Sequence, residues 1–173
     1  TTTGTFEVVS LQVVKEVVEN EPTPEPETEL VTEDLVVTGF AQDSGDKYVF
    51  DATNKTIQCT YGTSMGKWAR FNFDGLAENT VKVILKVKST SDFALAAKLD
   101  NASNGYDGTA NNKLYKKLTA DEVITFEWDL VAMSMNPASL VKLVFWAYDS
   151  TGATTTGTFE VVSLQVVKEV VAE

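Results

Sequence analysis

From Leu35 onward the chain is a succession of short runs rich in Val, Ile, Thr, Phe, Tyr and Trp. Each run is closed by a Gly, Asn, Asp, Ser or Pro signal, and no ten-residue stretch carries a helical period. β-Branched and aromatic residues suit a pleated surface, and turn residues at this spacing break the chain into strands rather than helices. The runs predict strands near Leu35–Phe40, Lys47–Asp51, Thr56–Tyr61, Lys67–Phe73, Thr80–Ser89, Phe93–Leu99, Val123–Leu130, Leu140–Tyr148 and Gly157–Val167. Many short strands without intervening helices imply an all-β fold, a β-sandwich (jelly roll) of two antiparallel sheets. A chain of 173 residues is long enough to give such a sandwich a real core.

Alternation assigns faces, because successive strand side chains point to opposite sides. Ala69, Phe71 and Phe73 fall on one side of their run, and Trp68, Arg70 and Asn72 on the other. Val81, Val83, Leu85 and Val87 oppose Lys82, Lys86 and Lys88. Ile124, Phe126, Trp128 and Leu130 share an inward face, and so do Val141, Leu143, Phe145 and Ala147. Lys142, Val144, Trp146 and Tyr148 are then left outward. Large aromatics turned toward solvent mark an interaction surface more often than a lone exposed Leu does. Trp68, Arg70, Asn72, Trp146 and Tyr148 are therefore the candidate ligand-binding residues. A flat indole ring accepts the C–H face of a sugar, while neighbouring Arg and Asn groups bond its hydroxyls. The competing reading packs these rings under a loop.

Residues 1–18, TTTGTFEVVSLQVVKEVV, recur letter for letter at 154–171. Near-identical tandem modules explain this, with the chain opening on the end of one module and continuing through the next. The expected organisation is a duplicate of the final strand segment at 1–18, a Pro/Glu-rich linker at 19–30 and a binding module at 31–173. The linker sequence ENEPTPEPETE favours an extended, solvated chain. A segment with the sequence of the last strand is expected to pair with a neighbouring identical module or chain by strand exchange.

The net charge of −11 belongs mostly to the ends: Leu35 to Ala153 holds 12 basic against 13 acidic residues. No basic patch is legible in the sequence, which argues against nucleic acid and for a neutral ligand. No apolar run of about 18 residues is present, so no insertion of a membrane-spanning helix is expected. With no histidine, Ser-His-Asp, Cys-His and the usual zinc chemistry are absent. The single cysteine, Cys59, alternates with Ile57 and Tyr61 and reads as a small core residue. Glu127 and Asp129 are the best carboxylate pair, about 7 Å apart along one strand. A chain of this size without a deep site is expected not to be an enzyme. Asp43, Asp46 and Asp51 crowd one turn, and Asp100–Gly108 resembles a calcium loop but lacks an acid at its twelfth position, Asn111.

The stretch NPASLVKLVFWAYDSTGATTTGTFEVVSLQVV is similar to the ending of carbohydrate-binding modules with the galactose-binding-like β-jelly-roll fold. In that pattern Phe159, Val161, Leu164 and Val166 fill inward slots around a bulge near Val162-Ser163, and FEWDL at Phe126–Leu130 resembles the preceding strand. The resemblance implies non-catalytic polysaccharide binding in a secreted or cell-surface protein, targeting an attached glycoside hydrolase or the cell surface to a plant or microbial glycan. It implies that aromatics on a concave sheet, or at the loops of one edge, carry the ligand. It also implies a structural calcium ion, for which Asp43, Asp46 and Glu160 are the candidates, although Glu160 stands where an Asp pair is common. The alternative is a structural stalk or adhesin repeat of a bacterial surface protein.

Overall fold

The computed structural model describes residues 27–42, 48–61, 68–103, 112–148 and 155–172. They form eleven strands: β1 (Thr28–Asp34), β2 (Gly39–Gln42), β3 (Tyr48–Asp51), β4 (Thr56–Tyr61), β5 (Ala69–Asn72), β6 (Thr80–Ser89), β7 (Phe93–Asn101), β8 (Leu114–Leu118), β9 (Val123–Asp129), β10 (Leu140–Tyr148) and β11 (Thr155–Val171). A short 3-10 turn, Pro137–Ser139, precedes β10. One sheet runs β3-β4-β11-β6-β9, with β1 also paired to β11; the other runs β2-β5-β10-β7-β8. All paired strands are antiparallel, so the expected sandwich of two antiparallel sheets is the fold.

The inward faces follow the alternation of the sequence. Val83, Leu85 and Val87 of β6, Phe126 and Trp128 of β9, and Leu143, Phe145 and Ala147 of β10 are buried between the sheets. Aromatic rings join the sheets at one end: Tyr48 and Phe159 meet Phe145 edge-on, and Phe71 lies 5.5 Å from Phe145. Such edge contacts add to the area they bury. The core is also sealed by backbone. A Cβ on Gly75 would stand 2.6 Å from the carbonyl oxygen of Ala138, so only glycine fits there.

Local chemistry sets the turns. Asp51 closes the β3–β4 hairpin by accepting from the backbone N–H of Thr53 and Asn54 and from the Asn54 amide, while Lys55 takes a left-handed φ of 53°. Those donors, the Asn54 amide first, hold the Asp51 carboxyl below its usual range. Asn136 caps the 3-10 turn, accepting from Ala138 N–H, with Pro137 pre-set behind it.

Four strand readings need correction. Thr28–Asp34, placed by the sequence in the spacer and the start of the module, is strand β1, paired along the second half of β11. Its buried pattern is weak because almost every side chain is exposed, so no apolar alternation marks it. The run Leu35–Phe40 is a strand only from Gly39, and Leu114–Leu118, to which the sequence assigns no strand, is strand β8. At the C-terminal end β11 continues past Val167 to Val171 because β1 supplies it with a partner. The duplicate at 1–18 and the linker up to Pro26 lie outside the described residues.

Candidate functional site

The outer face of the five-stranded sheet collects the outward residues of β5, β10, β7 and β8 in rows. Arg70 stands opposite Val144, and Val144 opposite Lys98. Asn72 is opposite Lys142, and Lys142 opposite Asp100. Trp146 is opposite Ala96, which is opposite Tyr115. Trp68 directly precedes β5, and the register that pairs Ala69 with Phe145 carries it to the flank of Trp146. At about 4.8 Å between strands, this face spans roughly 14 Å from β5 to β8.

Small residues make the floor on which the rings meet. Ala96 is fully buried between Trp146 and Tyr115, whose rings contact edge to face with centroids 6.2 Å apart. The guanidinium of Arg70 lies over the Trp68 ring, 5.0 Å from its centroid, within cation–π range. Trp68, Arg70, Asn72 and Trp146 are half-buried and Tyr115 is exposed. The rings thus form a partly open platform. Of the residues expected from sequence, Trp68, Arg70, Asn72 and Trp146 come together on this face. Tyr148 ends β10 opposite Ala94, but its side chain lies outside the described residues.

Polar groups border the platform. Lys98 pairs with Asp100 at 2.7 Å, and Lys142 donates from Nζ to the carbonyl oxygen of Ala102. Asp100 is 2% exposed although it lies on the outer face, and its Oδ1 has no hydrogen-bond partner; nor has Nε of Arg70. Burial, then the positive charges of Arg70 and Lys98, lower the Lys142 ammonium pKa against the opposing pull of Asp100. The sequence reading missed Tyr115, Lys98 and Asp100 as members of the site. Tyr115 escaped because LYKKL is too short and too polar to read as a strand, and Asp100 because it was read with the loop that follows it.

The face is held from behind by Tyr48. Its ring crosses the core from β3, and its hydroxyl accepts from the backbone N–H of Ala147, next to Trp146. Among the described residues β5 pairs with β10 as far as Phe145, and Tyr48 supplies the acceptor for the Ala147 N–H beyond that point. Burial raises the Tyr48 phenol well above its ordinary value.

Other candidates fall elsewhere. Cys59 is buried, donates weakly to the Gly157 carbonyl at 3.4 Å, and has its thiol pKa pushed up to about 12 by burial. At neutral pH it is a protonated core group rather than a nucleophile. Glu127 and Asp129 lie on the outer face of the other sheet. Glu127 is tied to Lys82 at 2.8 Å, and Asp129 accepts from Ala132 N–H. Both carboxylates are thus engaged on an open surface. Among the calcium candidates, Asp43 and Asp46 lie outside the described residues, and Glu160 is exposed opposite Thr56 and Lys88. No group of three metal-ligating side chains is present among the described residues. A cleft of about 420 Å³ opens at the sandwich edge between Leu35–Phe40 and Val161–Leu164, and none of the expected site residues lines it.

No protein-family model matches the sequence, and no curated protein matches it. Solved structures similar to the chain include carbohydrate-binding modules with β-sandwich folds. One is CBM1 of BiXyn10A in its apo form, with 9% identity, a TM-score of 0.45, and coverage of 82% of this chain and 97% of that one. Another is the family 11 module from Clostridium thermocellum in complex with a β-1,3-1,4-mixed-linked tetrasaccharide. It shows 10% identity, a TM-score of 0.42, and coverage of 80% and 87%. The cleaved adhesin domain of Lys-gingipain from Porphyromonas gingivalis is also similar, with 13% identity, a TM-score of 0.45, and coverage of 84% and 99%.

Proposed function

We propose that this chain is a non-catalytic glycan-binding module whose ligand lies across the outer face of the five-stranded sheet. The observation that carries this reading is the convergence of Trp68, Trp146 and Tyr115 on one face, with Arg70 over the first ring and Asn72 beside it. Faces built for packing bury their aromatics, and faces built for water carry few. This one keeps several rings partly open between polar groups, the pattern of a site for an amphipathic ligand. A pyranose has apolar C–H faces and a polar rim, so ring stacking and rim hydrogen bonds are satisfied together. Attached to a glycoside hydrolase or a cell surface outside the cell, such a module would hold it on its polysaccharide. Tandem copies would add avidity for a repeating polymer.

Native affinity electrophoresis against a panel of soluble polysaccharides tests the reading, with Trp68→Ala and Trp146→Ala run alongside. Retardation by a polymer, lost or weakened at least tenfold in either variant, is the expected result. The verbatim recurrence of residues 1–18 favours one other function, a stalk or adhesin repeat. Absence of retardation by any polymer would select it.

A further inference from the structure

The charge of the platform says more than the charge of the chain. The protein is strongly acidic, at −11. On the outer face of the six-stranded sheet, two of the three outward lysines of β6 are matched by carboxylates: Lys82 by Glu127, and Lys88 by Asp121 at its margin. The outer face of the five-stranded sheet breaks this pattern. Among the described residues, its rows hold Arg70, Lys98, Lys117 and Lys142 against one carboxylate, Asp100, which is already paired to Lys98.

The cations are arranged around the rings. Arg70 and Lys98 lie one outward position from the Trp68–Trp146–Tyr115 row on one side, and Lys117 lies one position away on the other. Outward neighbours along a strand are about 7 Å apart. A sugar stacked on Trp146 would therefore have positive charge at both edges of its ring. Arg70 lies over the Trp68 ring with its Nε buried and unbonded, and a planar guanidinium is the side chain suited to a carboxylate through paired N–H donors. The crowding of Lys142 by Arg70 and Lys98 is a repulsion that a bound anion would relieve.

Resting on the glycan-binding reading above, we infer that the ligand is an acidic polysaccharide, one whose sugars carry carboxylates, rather than a neutral one. Stacking on the tryptophans orients the ring, and Arg70 with Lys142 selects the carboxylate at its edge.

The test compares matched polymers. Polygalacturonate, alginate and hyaluronan are each run with the intact protein beside their carboxyl-reduced, uncharged counterparts, together with neutral glucans and mannan and a single-stranded DNA oligonucleotide. The expected result is binding of at least one uronate polymer tenfold or more tighter than its reduced form. That preference should shrink with added salt and be lost in Arg70→Gln and Lys142→Gln, whose fold is checked by near-ultraviolet circular dichroism. Equal binding of acidic and reduced forms, or binding to neutral glucans alone, would overturn the acidic inference and leave the glycan-binding reading standing. Equal binding of DNA and uronate polymer would overturn it in favour of an unselective anion surface. Binding to none of these polymers would remove both readings together.

Discussion

At the scale of single residues, the site depends on groups with two duties. Tyr48 is a core ring and also the hydrogen-bond partner of Ala147 N–H beside Trp146. Tyr48→Phe keeps the ring and strands that N–H in the interior. We expect a loss of about 1–2 kcal/mol in urea unfolding and a shifted tryptophan emission as Trp146 loses its fixed backbone. Unchanged stability would show that the hydroxyl is dispensable there. Trp68, Arg70, Asn72 and Trp146 were legible in the sequence because strict alternation fixes which side a strand residue faces once its neighbours are apolar. Tyr115 and Asp100 were not. Tyr115 lies on a five-residue strand with adjacent lysines at its centre, and Asp100 is the penultimate residue of β7, where alternation gives way to turn chemistry.

At the scale of elements, β11 organises its sheet. It is 17 residues long and central, bonded on one side to β6 and on the other first to β4 and then to β1. Its register shifts between Val161 and Ser163, where the sequence placed a bulge. Absorbed as a bulge, the extra residue leaves Phe159 and Val161 before it, and Leu164 and Val166 after it, on the core side. Deleting Val162 leaves Ser163 alone between Val161 and Leu164, which restores plain alternation with both halves still facing the core. The expected outcome is a protein that still unfolds cooperatively in urea; loss of the cooperative transition would show that the bulge itself is required. β1 was invisible to sequence reasoning for the opposite reason: it adds hydrogen bonds to β11 without burying an apolar face.

At the scale of the whole molecule, the two sheets divide the work. One presents ion-paired charge to solvent, and the other presents rings among cations. Averaged over the body, the charge nearly cancels, which is why the sequence alone favoured a neutral ligand; only strand order and register separate the faces. The centrality of β11 also bears on the duplicate at 1–18. A second copy of that sequence must displace a strand held on both edges rather than add to a free one. Exchange between chains is therefore expected to be slow in the native state and fast only through unfolding. Light scattering after chromatography should show monomers when native protein is concentrated, and added dimers after refolding at high concentration. Rapid, reversible dimerisation of native protein would refute this.

The locked rings of the outer face carry a thermodynamic consequence. Trp146 is braced by Tyr115, and Trp68 is roofed by Arg70, before any ligand arrives. Freezing a mobile side chain on association costs about 0.5–1.5 kcal/mol. On the proposed site these contacts form with the fold, so a ligand there would lose mainly its own freedom on binding.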